Sequence, residues 1–276
     1  MRSRNLFCAM LMFANLPLSI AATETKAVAP QMSAAAIVDK NVAARGGLAA
    51  WRAVQTMEMK GKMEAGGNQR STIPVPDAGG AAKVVPARRK EQALLPFVMD
   101  LQRGRKMRVE IEFKGQTAVQ VYNGAQGWKL RPFLNRHEVE NFTPDELQMA
   151  SKQSDLDGLL IDYQAKGSTV ELEGTEQVEG RSSYKLKVTD KSGNAHRVWV
   201  DAETFLETKI EGTPRRLDGK YHAVSTYLRD YRSVNGLTMP YVLETAVDGV
   251  RDTEKILIES IVSNPKLDES RFAMPR

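Results

Sequence analysis

From residue 168 to residue 263 the chain switches between strand-like runs and turn residues at nearly regular spacing, and this pattern limits its fold more than any other feature. The runs span 168–178, 182–189, 195–201, 205–213, 220–231, 238–248 and 253–263. Between them sit Glu179-Gly180, Ser192-Gly193-Asn194, the Asp201 to Thr204 turn, Asp218-Gly219, Asn235-Gly236 and Asp248-Gly249. Connections this short join antiparallel neighbours, because a parallel pair needs a crossover of a dozen residues or more. The first half carries the same period of two. Met107, Val109, Ile111 and Phe113 alternate with Arg108, Glu110 and Glu112, and Met57, Met59 and Met63 alternate with Glu58, Lys60 and Lys62. Val119 and Val121, the turn Asn123-Gly124, then Trp128 and Leu130 continue the series. The expected sheet has about ten to eleven antiparallel strands.

Helices are confined to two places. Ser33 can cap a helix over 34–45 that ends at Gly46-Gly47, and 48–54 forms a further short turn carrying Trp51. Thr143, Pro144 and Glu146 make a capping box for a helix reaching about Gln153, and the apolar run 156–163 predicts a second short helix. Helices set apart from an antiparallel sheet define an α+β fold, and no βαβ alternation is present. A strongly curved sheet with helices over its concave face encloses an apolar space, which can hold an acyl chain where the helices leave it unfilled. The apolar side of each strand then supplies the cavity candidates Met57, Met59, Val109, Ile111, Phe113, Leu130, Leu186 and Val188. Leu156, Leu159, Leu160 and Ile161 are the lid candidates. The plain alternative is that these side chains simply pack a core, since Met fills irregular cores everywhere.

The N-terminus reads as an export signal. Arg2 and Arg4 precede the short apolar run from Leu6 to Leu16, and Ser19-Ile20-Ala21 supplies small residues for cleavage after Ala21. The run is too short to span a bilayer. Of 39 Lys plus Arg and 34 Asp plus Glu, cleavage removes Arg2 and Arg4, so the charge falls from +5 to +3. It also removes Cys8, the one cysteine, so the mature chain depends on packing and β-ladders. Residues 22–32 form a flexible leader, 33–276 a single domain, and about 65–90, rich in Gly and Pro, a flexible insertion within it.

The catalytic inventory is sparse. There is no phosphate loop, no Gly-x-Ser-x-Gly elbow, and His137-Glu138 lacks the second histidine of a zinc helix. His196 reads as a neutral strand histidine without a partner in sequence. The expectation is no enzyme, no cofactor and no metal. Mild mixed charge and 7% aromatic residues give no footprint for nucleic acid.

Three hairpin segments carry a family likeness. Tyr122 to Trp128 resembles the Y-D-G-x-x-x-W strand–turn–strand of the LolA/LolB-like lipoprotein-sorting proteins, Val200 to Phe205 resembles their hD-x-x-T turn, and Tyr231 to Pro240 resembles their Y-x-x-h-x-G-h-x-h-P hairpin. Ala44 to Trp51 is similar to the start of an uncharacterised Gram-negative branch of that superfamily. The resemblance covers about residues 33–275. It implies an unclosed β-barrel with a helical lid, a periplasmic carrier for a lipoprotein acyl chain or other lipid, and transient membrane contact as a monomer. An inner-membrane exporter and an outer-membrane acceptor are the partners it implies. Rival readings are an envelope sensor binding a protein partner on the same fold, and a hydrolase whose carboxylates carry no recognisable motif.

Overall fold

The computed structural model describes residues 32–65, 93–217 and 219–276. The signal, the leader before Met32 and the insertion beyond Ala65 lie outside these residues. Among the described residues thirteen strands form one antiparallel, curved and unclosed sheet. They are β1 (Thr56–Ala65), β2 (Ala93–Gln102), β3 (Lys106–Phe113), β4 (Gln116–Tyr122), β5 (Gly127–Arg131), β6 (Arg136–Asn141), β7 (Thr169–Val178), β8 (Arg181–Thr189), β9 (Ala195–Asp201), β10 (Glu207–Glu211), β13 (Val224–Val234), β14 (Leu237–Val247) and β15 (Glu254–Ser263). A separate two-stranded ribbon pairs β11 (Arg215–Leu217) with β12 (Lys220–His222). The expected strand 220–231 is therefore divided at Ala223, and β2 and β6 add to the expected count.

The strand order is β6-β5-β4-β3-β2-β1-β15-β14-β13-β10-β9-β8-β7. The chain thus starts at the centre, meanders to one edge, crosses to the other, and meanders back until β15 pairs with β1. Laid flat, strands about 4.8 Å apart would put those two edges about 58 Å from each other. The crossover, residues 142–168, shares the concave face with the N-terminal helices. Leu147, Ala150, Leu156 and Ile161 pack among the inward residues of β1–β4, β14 and β15, while Leu159, Leu160 and Tyr163 pack among those of β7–β10.

The helices start where the capping chemistry places them. Ser33 Oγ accepts from the Ala36 amide at 3.2 Å and opens α1 (Ala34–Ala44). Thr143 and Glu146 form a complete capping box at the start of α3 (Pro144–Gln153). The short α2 (Leu48–Ala53) delivers Trp51, fully buried, to the β1–β4 half, whereas α1 sends Ile37 and Val38 into the β7–β10 half.

Arg45 joins these helices to the sheet. Its guanidinium pairs with buried Glu207 at 2.9 Å, lies 4.5 Å from the Trp51 ring centre, and donates from Nε to the Thr238 carbonyl at 3.2 Å. Its own carbonyl accepts from Trp51 Nε1 at 2.9 Å and from the Thr238 amide at 3.1 Å. Gly46 follows at φ +110°, so close to the β13–β14 turn that a Cβ would stand 2.2 Å from the Gly236 oxygen. Only glycine fits there. Tyr231 donates to the Glu207 carbonyl at 2.9 Å, and burial together with the Glu207 carboxylate raises its phenol well above the ordinary range.

Candidate functional site

Inward alternation brings most of the cavity candidates into two packed groups. In the first, register sets Met59 opposite Met99 and Met99 opposite Val109, with Phe97 opposite Ile111 and Met57 opposite Leu101. These side chains meet Trp51, Leu156 and Ile161. In the second, Leu186 and Val188 meet Ile37, Val38 and Leu160. Two candidates stand apart. Phe113 closes the end of β3 edge-on against Phe133, ring centres 5.6 Å apart. Leu130 lies on the opposite face, with Val119, Val121 and Trp128 under Phe272 of the C-terminal turn, because β5 presents residues 128 and 130 to the convex side. It does not line the concave space.

The predicted lid helix over 156–163 is not helical. It is a run of turns in which Gly158 takes φ +72° and Asp162 φ +54°, both left-handed and incompatible with a continuing helix. Polar clamps hold its outer side. Asp157 receives Arg103 Nη1 at 2.8 Å and Nη2 at 3.0 Å, and Arg103 also donates to the Val54 and Trp51 carbonyls at 2.8 Å each. Asp162 receives both Arg52 Nε and Nη2 at 2.8 Å, and that bond holds its carboxyl below the usual range. Lys166 reaches Asp155 at 3.2 Å and the Gly158 carbonyl. The inner side of the same run carries the four lid candidates, with Leu156, Leu160 and Ile161 buried.

Beneath this crossover opens a cavity of about 340 Å³. Leu159, Val188 and Ile210 give it an apolar surface. Cationic side chains from four segments stand around it: Arg105 from the β2–β3 turn, Lys152 from α3, Lys166 from the crossover and Lys191 from the β8–β9 turn. His196 on β9 completes the wall, its Nε2 3.2 Å from Lys152 Nζ. Burial, then the Lys152 charge, holds the imidazole below its ordinary pKa against the opposing pull of Asp190 and Glu211. Of the sequence candidates, Leu159 and Val188 line this space, while the others pack elsewhere. Ile210 and the cations were not among the candidates. The alternation His196, Val198, Val200 puts His196 on the inward side of β9, a signal readable in the sequence. The cations are separated along the chain and meet only through the crossover.

The volume lies near the lower end of the roughly 300–1,000 Å³ typical of small-molecule sites. An apolar floor with a few charged groups at its margin is suited to holding an amphiphile. Among the described residues no group of three or more His, Cys, Asp or Glu is placed to hold a metal ion, and no helix is long and apolar enough to cross a membrane.

No protein-family model matches the sequence, and no curated protein matches it. Solved structures do. A LolA superfamily protein from Nitrosomonas europaea superposes with a TM-score of 0.53 at 12% identity, covering 88% of this chain and 98% of that one. A DUF1329 family protein from Desulfovibrio piger gives a TM-score of 0.52 at 14% identity, with the same coverages. The likeness to LolA-like proteins read from the hairpins holds at the level of the fold.

Proposed function

We propose that this protein is an exported carrier that holds an acyl chain of a lipoprotein or another lipid beneath the crossover, against Leu159, Val188 and Ile210. The observation that supports this reading is the apolar-floored cavity on the concave face of a LolA-like sheet. Burial supplies the driving force, about 0.8 kcal/mol per methylene, so ten methylenes contribute about 8 kcal/mol before the costs of association. The crossover acts as the lid. Its clamps, Arg103 to Asp157 and Arg52 to Asp162, hold the middle of the crossover down, and their release lets it open to admit the chain. In this reading the signal is cleaved after Ala21, the mature single domain works in the periplasm as a monomer, and an inner-membrane exporter and an outer-membrane acceptor exchange cargo with it during transient membrane contact. Met57, Met59, Val109 and Ile111 form the packed floor beside the cargo, and Leu156, Leu160 and Ile161 seat the lid on it.

Native mass spectrometry of the protein purified from a bacterial envelope tests the reading. The expected spectrum contains a lipid adduct that Leu159→Asp removes, leaving the folded mass envelope unchanged. A protein that never retains lipid, and that takes none up from added amphiphiles, contradicts it. A stoichiometric protein adduct in place of lipid would point to the envelope-sensor function instead.

A further inference from the structure

The charges at the cavity mouth are unevenly matched. Three carboxylates are present, and each is already engaged. Asp155 is held by Lys166 at 3.2 Å and approached by Arg105 at 3.9 Å. Glu211 is paired with Arg197 at 3.3 Å. Asp190 closes its own turn, accepting from the Ser192 amide at 2.8 Å, the Asn194 amide at 3.0 Å and the Asn194 side chain at 2.9 Å.

Two ammonium groups have no such partner. Lys191 makes no hydrogen bond or ion pair among the described residues, and the sole polar contact of the Lys152 ammonium is His196 Nε2 at 3.2 Å. An ammonium can only donate, so this contact requires a neutral imidazole with its proton on Nδ1. The Lys152 charge therefore meets a dipole and not an anion. Both cations stand over a surface built from Leu159, Val188 and Ile210.

We infer that the ligand of this cavity is a single-chain amphiphile with an anionic head, a carboxylate or a phosphate, set between Lys152 and Lys191 with its chain on Leu159, Val188 and Ile210. The inference rests on the carrier reading and narrows it to a charge class. A volume near the small end of the ligand-site range suits one chain better than two. A neutral glycerol or alcohol head leaves both ammonium charges uncompensated, and a cationic head is repelled by them.

Calorimetric titration of the delipidated protein separates the two claims. The probes are palmitate, lysophosphatidate and monopalmitoylglycerol, which share a chain and differ in the head, with inorganic phosphate as a chainless control. The expected result is about tenfold tighter binding of both anionic amphiphiles than of the neutral one, an advantage that shrinks in high salt. Phosphate alone does not bind measurably. The paired change Lys152→Met and Lys191→Met abolishes the advantage, bringing palmitate and lysophosphatidate to the affinity of monopalmitoylglycerol. Equal affinity for charged and neutral heads, or an advantage that survives the paired change, overturns the anionic-head inference while the carrier reading stands. Binding of phosphate as tight as that of lysophosphatidate overturns the amphiphile in favour of a plain anion site. Absence of binding by all four probes overturns the carrier reading itself.

Discussion

Replacing Arg45 by methionine removes the cation that, among the described residues, pairs with Glu207 in the interior. Both side chains are nearly inaccessible, 10% and 5% exposed, and their atoms meet at 2.9 Å. With Arg45 gone, the Glu207 carboxylate keeps, among the described residues, only the Tyr231 hydroxyl, at 3.4 Å, as a side-chain partner. Breaking a buried pair from one side costs about 3–5 kcal/mol, chiefly because the remaining charge has lost its solvation without compensation. At about 2–4 °C per kcal/mol for a domain of this size, Arg45→Met lowers the melting temperature by about 6–20 °C. Changing both partners, Arg45→Met with Glu207→Met, removes the charge altogether. What remains is an unpaired Thr238 carbonyl, about 1 kcal/mol, and the lost cation–π contact with Trp51, about 1 kcal/mol more. The double variant is therefore more stable than Arg45→Met alone. Urea unfolding followed by tryptophan fluorescence and by circular dichroism measures both, with an unchanged m-value confirming that stability and not compactness has moved. A loss below about 1 kcal/mol for Arg45→Met, or a double variant weaker than the single, refutes the claim that this pair anchors the helices to the sheet.

Gly46→Ala drives a Cβ into the Gly236 oxygen and strains a φ of +110°; protein that is folded at ambient temperature but melts well below the wild type is expected in a thermal scan. Thr143→Ala removes half of the capping box of α3 and costs about 1 kcal/mol by urea unfolding. Histidine NMR is expected to find His196 titrating below its ordinary pKa because of its burial, and higher in Lys152→Met, where the ammonium that repels the protonated ring is gone. The groups facing it are Lys152 from α3, Asp190 from the β8–β9 turn and Glu211 from β10. Since its folded pKa is depressed, the stability linked to His196 is intact above the ordinary value near 6.5 and is lost as pH falls through the folded value.

The meander was legible because its signals are local. Alternation sorts the side chains of a strand onto two faces, and turns such as Asn235-Gly236 and Asp248-Gly249 fix where it stops. β6 escaped because Arg136, His137, Glu138 and Glu140 leave no apolar side to count, and its pairing with β5 is what makes it a strand. β2 follows the long Gly- and Pro-rich stretch and contains Pro96, so its strand character rests on β1 and β3 to either side. The crossover departs from the helix its composition predicts for a different reason. Leu159-Leu160-Ile161 has the composition of a helix, but Gly158 and Asp162 adopt left-handed backbone on either side, and the three side chains divide between two packed groups. Leu130 obeys the alternation of its strand, yet period alone does not say which face is concave; Phe272, far along the chain, covers its side. The cavity charges were out of reach for the same reason. Lys152 and His196 are 44 residues apart, and Arg45 and Glu207 are 162 apart, so neither pair exists until the sheet has curled.

The most direct test of the carrier account is paramagnetic broadening of methyl signals by a spin-labelled fatty acid added to the delipidated protein. The account predicts strong broadening at Leu159, Val188 and Ile210, under the crossover, with Val119 and Val121 on the opposite face unaffected. Broadening at Val119 and Val121 in preference to the cavity methyls, or none at all at saturating ligand, would contradict it.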